Sequence, residues 1–431
     1  MAITGRTALL AALGALVVGV ALPGWWGVAA VEGALLAGVL VDLALAAGVR
    51  ALHLEHSGDS SVRLGEAATV YLEVHNPGRR PLRGRVRDAW PPSAGATPRQ
   101  HDPRVPAGHR RRLALTLRPT RRGDRRAARV TVRSLGPLGL AARQGSRVVP
   151  WTVRALPPFT ARRYLPSRLA RLRELDGRAA VRVRGQGTEF DSLREYVLGD
   201  DVRSIDWRAS ARASDVMVRT WRPERDRHLL LVLDTGRTSA GRVGDAPRLD
   251  ASMDAALLLA ALASRAGDRV DLLGYDRAVR ASVSGVGAAE LLPALVNALA
   301  PVESELVEAD MRGLVAAVLA RAPRRSLVVL FTGLDAAAVE EGLLPGLPAL
   351  TRRHRVLVAS VADPAVAAMA AGRGDAPAVY AAAAAERVGA ERRRTAALLG
   401  RLGVTVVDAT PAELAPKVAD TYLALKAAGR L

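Results

Sequence analysis

Cysteine is absent from the 431 residues, so neither a disulfide framework nor a thiolate metal site exists in this chain. Aromatic residues make up only 3% of it, too few to interleave with charge as a single-strand nucleic-acid surface requires. No Gly-x-x-x-x-Gly-Lys-Ser/Thr phosphate loop and no His-Glu-x-x-His zinc motif occurs, which removes the support for an ATPase or a zinc protease. Acidic residues are also short: 42 Asp and Glu stand against 62 Lys and Arg, for a formal charge of +20. Arg supplies almost all of the excess. Such a balance favours phosphate backbones or the anionic inner face of a membrane. Runs such as Arg110 to Arg112 read as solvated surface, so nucleic acid is the weaker of the two.

What is abundant is apolar. At 49% hydrophobic the chain has material for two or three cores. Thr7 to Leu22 carries no charge, Pro23-Gly24 interrupts, and Trp25 to Val49 is again strongly apolar. This predicts a hairpin of two transmembrane helices over residues 1–50, with Trp25 and Trp26 in an aromatic interface belt at the turn. Arg6 precedes the pair, and Arg50, Arg63, Arg79 and Arg80 follow it. The positive-inside rule then leaves both termini and the soluble domains cytoplasmic, at the inner membrane. Asp42 inside the second helix is expected to pair across the hairpin or with a partner helix. His53-x-x-His56 has helical ligand spacing without a third ligand and reads as juxtamembrane surface.

From 51 to 160 short alternating runs, Thr69 to Val74 and Arg112 to Leu117, are separated by Asn76-Pro77-Gly78, Pro91-Pro92 and Arg122-Gly123-Asp124. Further runs at Ala128 to Val132 and Val148 to Val153 complete a small all-β, sandwich-like domain. A charged connector occupies 161–226. From 227 to 431 buried strands alternate with amphipathic helices: strands at 228–234, 269–275, 326–332, 355–361 and 404–408, helices at 250–266, 288–300, 310–322, 336–353, 378–402 and 411–428. Arg277 to Val283 can pair with the second strand. The alternation predicts α/β architecture, a mainly parallel doubly wound sheet covered on both faces.

The connector is the sharpest stretch. It reads Gly185-x-Gly187-x-Glu189-Phe190, then Arg194, Tyr196, Gly199, Asp200, Asp201, Arg203, Asp206, Trp207 and Arg212, with Arg219 and Glu224 beyond. Alternating acids and arginines beside aromatics suit an ion-pair network sealing the junction between the β and α/β domains. No His, Cys or Lys lies there to act as base or nucleophile. Gly185-x-Gly187 leads to Glu189 rather than into a helix after a buried strand, so a dinucleotide site is not expected.

This block, with the hairpin, the β region and the end Tyr422-Leu-Ala-Leu-Lys426, resembles the bacterial and archaeal proteins of domain-of-unknown-function family 58 over nearly the whole chain. The resemblance implies a von Willebrand factor A-like terminal domain and a partner among MoxR-type AAA+ ATPases. It also implies an adaptor role in complex assembly or maturation, with no catalytic reaction. Domains of that type often bind Mg²⁺ through Asp-x-Ser-x-Ser after the first strand, with a Thr and an Asp from later loops; oxygen donors suit so hard a cation. Here the motif reads Asp234-Thr235-Gly236-Arg237-Thr238. Gly replaces one Ser, Arg237 intrudes, Gly333 follows the Ser326–Thr332 strand, and the Thr region reads Glu308-Ala309-Asp310. Asp234, Thr238 and Asp335 are the ligands such a degenerate site would use.

The expectation is therefore a non-enzymatic, membrane-anchored interaction scaffold that also rests on anionic lipid. The alternatives are an Mg²⁺-dependent sensor and a basic nucleic-acid-binding membrane protein.

Overall fold

The computed structural model describes residues 1–182, 189–197, 200–213, 215–222 and 227–431, with the side chains of these apart from 176–182, 189–192 and 220–222. The chain divides into two compact units, Met1–Pro158 and Phe159–Leu431.

The first unit begins with the helices Gly5–Ala21 and Trp25–Leu45, which lie so close that a Cβ on Gly14 would fall 2.3 Å from Val31. Among the described residues one helical segment, Trp25–Ala51, is long and apolar enough to cross a membrane; Gly5–Ala21 is a shorter apolar helix. At 1.5 Å per residue the latter spans only ~25 Å.

The strands behind them form sheets of five, four and three strands. Ala68–His75 shows why: Ala68, Val70, Leu72 and Val74 are buried and the residues between them are not, the two-residue period of a half-buried strand. The expected strand at Val148 to Val153 is not one element. Ala141–Arg147 lies in the five-stranded sheet and Thr152–Leu156 in another. Pro150, which has no N–H for a ladder, stands between them. Asp42 also departs from expectation: it is buried, and instead of pairing within the hairpin its carboxylate accepts the backbone N–H groups of Leu138 (2.7 Å), Leu140 (2.5 Å) and Ala141 (3.0 Å). Hydrogen-bond donors, not a counter-charge, stabilise it. His53 and His56 sit on a strand, His53–Gly58, not a helix. His56 is no surface residue: it is buried between Asp88 (3.0 Å) and the Val149 carbonyl (3.1 Å).

The second unit carries a six-stranded sheet. Its strands are β1 (His228–Asp234), β2 (Arg269–Tyr275), β3 (Val279–Val283), β4 (Leu327–Phe331), β5 (Arg355–Val361) and β6 (Thr405–Ala409). The order is β3-β2-β1-β4-β5-β6, parallel except for the antiparallel edge strand β3. Leu229 to Leu233 are all buried, so β1 is a continuous apolar run, as a strand covered on both faces must be. Besides Leu165–Arg182 and Pro364–Ala370, its main helices are α1 (Arg248–Arg265), α2 (Ala288–Leu299), α3 (Met311–Arg321), α4 (Leu347–Arg353), α5 (Ala376–Arg401) and α6 (Pro411–Ala427). Their positions match the expected periodicity with one exception: the helix expected over 336–353 is broken into a π-turn at Ala338–Leu343 and α4. Pro345-Gly346 lies at the break, where a missing N–H and ring clash end a helix.

One buried ion pair ties the closing helix to the sheet. Lys426 Nζ lies 3.1 Å from Asp268 just before β2, and the Tyr422 hydroxyl donates to the other oxygen of the same carboxylate. All three side chains are buried.

Candidate functional site

In a doubly wound sheet the ligand crevice opens at the carboxyl ends of the strands where the order reverses, here between β1 and β4. The residues there fold into a polar knot. Asp234, the last residue of β1, is fully buried. Its Oδ1 accepts the Gly236 N–H (2.8 Å), and its Oδ2 accepts the hydroxyls of Thr238 and Thr332, both at 2.7 Å. Gly236 is dictated by proximity, since a Cβ there would fall 2.9 Å from the Val307 carbonyl oxygen and 3.1 Å from Asp234 Oδ1. Gly333 is less constrained: a Cβ there would fall 3.3 Å from Thr238 Cβ and against Asp335 Oδ2, the end of a side chain that can swing away. Gly236, which makes the motif look degenerate in sequence, is thus the residue that fits.

A cleft of about 470 Å³ opens on this knot, lined by Asp234, Thr238, Met311 and Asp335, with Arg237, Arg248, Glu308 and Glu341 contributing charge. The structure therefore brings together Asp234, Thr238 and Asp335. It adds Thr332, which sequence reasoning passed over because Gly333 drew attention to the missing Asp; the Phe331-Thr332 strand end was the available signal. Arg237 does not block the cleft as a free cation, because it pairs at 2.9 Å with Glu308 across the rim.

A second buried carboxylate, Asp276 at the end of β2, was also missed. It accepts from Thr235 (3.1 Å), the Arg277 and Ala278 amides (2.5 and 3.2 Å) and Arg280 (2.7 Å). Burial pushes its carboxyl up, but the bond from Arg280 and those from the two amides and Thr235 outweigh burial and hold it below the usual carboxylate range.

Among the described residues that line the cleft there is no His, Cys, Lys, Ser or Tyr. Its deepest carboxylate, Asp234, is occupied by its own neighbours, and the other carboxylates of the lining are Glu308, Asp335 and Glu341. Elsewhere a Ser-His-Asp series does occur: Ser326 Oγ is 2.9 Å from His228 Nδ1, and His228 Nε2 is 2.9 Å from Asp271. It lies at the opposite, N-terminal ends of the strands. Ser326 is buried and its hydroxyl donates to the Arg324 carbonyl (2.9 Å), so the series straps strand starts together and activates nothing.

For a hard cation the donors are chemically suitable, since Thr238, Thr332 and Asp335 offer oxygen alone. Among the described residues, however, no three His, Cys, Asp or Glu side chains come together as a ligating group. A cation here would depend on the two hydroxyls, with Asp234 holding them from behind.

Of the connector residues, Gly185, Gly187, Gly199 and Glu224 lie outside the described residues, and Glu189 and Phe190 are described in backbone only. The connector forms an antiparallel hairpin, Glu189–Glu195 with Met217–Arg222, which carries Arg194 and Arg219, while Tyr196, Asp200, Asp201, Arg203, Asp206, Trp207 and Arg212 lie between its strands. Among the described residues its ion pairs include two internal ones, Arg194 to Asp200 at 2.6 Å and Arg219 to Asp206 at 2.8 Å. Asp201 and Asp206 cap short helical turns by accepting from the Arg203 amide and from the Arg208 and Ala209 amides. The Ala209 amide, then Arg219, holds the Asp206 carboxyl below the usual range. Tyr196 is half-buried, its amide donating to the Val216 carbonyl, and Arg212 is exposed. Trp207, expected to help seal a junction, is 68% exposed. Short sequence separation explains the outcome, because acids and arginines this close in the chain satisfy each other locally.

Residues 192–377 match the family model described as "Protein of unknown function DUF58". That match spans the hairpin and the cleft and is less than half of the chain, narrower than the whole-chain resemblance read from the sequence. "Uncharacterized protein Mb1516" of Mycobacterium bovis and "Uncharacterized protein Rv1480" of Mycobacterium tuberculosis are each 27% identical over 182 residues. The aligned part is 42% of this chain, and the chain spans 56% of the length of these curated relatives. Among solved structures, the CARDB domain of PF1109 from Pyrococcus furiosus overlaps 24% of this chain and 94% of that domain at 15% identity, with a TM-score of 0.19.

Proposed function

We propose that this protein is a non-enzymatic, membrane-anchored interaction module whose second unit, a von Willebrand factor A-like domain, receives a partner protein at the cleft between β1 and β4. The observation that carries the reading is the state of Asp234: a buried carboxylate at the ligand-binding end of the sheet, spent on Gly236, Thr238 and Thr332. So engaged, it shapes a recognition surface rather than acting as a free base. The apolar helix Trp25–Ala51 supports the anchor, with the Gly5–Ala21 helix as the other arm of a hairpin and both soluble units on the cytoplasmic side. The partner class, a MoxR-type AAA+ ATPase, comes from the family resemblance, and the proposed consequence is recruitment of that ATPase to the membrane.

A photo-crosslinking residue at Ala337, exposed on the cleft rim, tests this in native membranes against the same residue at Ala114 on the β unit. Capture of a AAA+ ATPase from position 337 alone, in Mg²⁺ and in EDTA alike, is the expected result. Capture of no ATPase removes the reading. Capture that EDTA abolishes replaces it with the Mg²⁺-dependent sensor, which the oxygen donors of Thr238, Thr332 and Asp335 favour.

A further inference from the structure

The five-stranded sheet of the first unit has two unlike faces. Its inner face carries Leu82, Val86, Val130 and Val132 into the core. The outer face follows from the pairing register. Arg85 stands opposite Arg133, Arg87 opposite Thr131, and Arg83 opposite Arg104 on the edge strand. Neighbouring strands are ~4.8 Å apart and outward residues recur every ~6.8 Å along a strand, so these guanidinium groups form a dense grid. Its ion-pairing carboxylate among the described residues is Asp102, 3.5 Å from Arg85 with both side chains exposed, a contact that neutralises little. The four-stranded sheet differs: Glu73 lies opposite Arg112 and pairs with Arg110 at 3.2 Å.

The basic face is also fixed to the apolar helix. Asp42 grips the Leu138–Ala141 backbone, Ala2–Ile3 pairs with Ala141–Ala142, and Arg143 Nε donates to the Leu43 carbonyl (2.7 Å). At that corner the apolar side chains Ile3 and Leu138 are 71% and 51% exposed, and Arg6 lies against Gly139. By register, Arg83 is level with this corner, and Arg85 and Arg133 stand one outward position further along.

We infer that this corner and the adjoining rows of arginine are a lipid-binding collar: Ile3 and Leu138 enter the bilayer interface while Arg6, Arg83, Arg85 and Arg133 hold the phosphates of anionic lipids. Arginine is the side chain suited to phosphate, through a planar fork of donors, and an anionic leaflet attracts such groups only within about a Debye length of its surface. The register described above supplies that proximity. The outward positions named carry no aromatic ring, which argues against stacked nucleic-acid bases. The inference rests on the membrane anchoring proposed above.

The test uses full-length protein reconstituted into vesicles of phosphatidylcholine doped with phosphatidylglycerol, extracted with its surrounding lipid by an amphipathic polymer. Alkaline carbonate washing is run in parallel. Wild-type protein is expected to resist the wash and to be enriched in phosphatidylglycerol at least about twofold over bulk. Arg83→Glu/Arg85→Glu/Arg133→Glu is expected to resist the wash and return to the bulk ratio, while the corresponding triple Lys variant keeps the enrichment and shows that the face still folds. Release of wild-type protein by carbonate overturns the anchoring and the collar with it. Resistance without enrichment, or enrichment unchanged in the Glu variant, overturns the collar alone. So does charge-dependent capture of an acidic protein or of nucleic acid without lipid enrichment.

Discussion

Asp42 offers the most direct test of how the apolar helix and the β unit are joined. Asp42→Ala removes the acceptor for three backbone N–H groups, those of Leu138, Leu140 and Ala141. Hydrogen bonds to a charged group contribute about 1.5–3 kcal/mol each, so the gross loss is roughly 5–9 kcal/mol. Against this, the variant no longer carries a buried carboxylate, whose desolvation costs several kcal/mol. The difference, about 2–4 kcal/mol, is the expected destabilisation of the joint. Every ~1.4 kcal/mol is a factor of ten in an opening equilibrium, so amides within 136–142 should exchange with deuterium ~30- to ~700-fold faster in the variant. Asp42→Asn, which keeps one carbonyl acceptor, should fall between the two proteins. Hydrogen-exchange mass spectrometry of the full chain in detergent reads this peptide directly. Exchange within threefold of wild type in Asp42→Ala would refute the claim that the carboxylate holds the loop.

Three other outcomes are expected. Lys426→Met leaves Asp268 buried beside Tyr422 without its ammonium partner and should cost about 3–5 kcal/mol in urea unfolding of the second unit; adding Asp268→Leu should recover more than half of that loss. Thr332→Val removes one of the two hydroxyl donors to Asp234 Oδ2 and should cost about 1–2 kcal/mol, lowering the melting temperature with no accompanying dependence on EDTA if the cleft binds its partner without metal. Burial, then Arg353 and His228, lowers the pKa of His354 from its usual 6.5. The unfolded chain then takes up that proton first as pH falls, so stability is fully present above about pH 6.5 and declines below it. His354→Leu should flatten that decline in denaturant titrations between pH 7 and 5, and an unchanged slope would count against the assignment.

The sequence signalled most elements because their signals are local. The run His228 to Asp234 could only be a doubly buried strand, and the alternation in Thr69 to Val74 could only be a half-buried one. The break at Pro345-Gly346 was legible in principle, but the apolar period on both sides concealed it. The site was half visible. Asp234 and Thr238 declare themselves by spacing, whereas Thr332 and Asp276 reach the same strand ends from 98 and 42 residues away along the chain.

Composition alone determined that the protein is basic, cysteine-free and built from more than one core, and periodicity alone determined that an apolar N-terminal segment, a β unit and an α/β unit follow one another. Tertiary structure decided what the conspicuous residues do. Asp42 became an acceptor for a distant loop, Trp207 stayed on the surface, His56 went inside, and the arginines of three strands gathered on one face. Apart from Trp207, left outside by a connector that satisfies its charges locally, each depends on contacts between segments far apart in sequence, and such contacts are set by sheet register and packing, which no local pattern records.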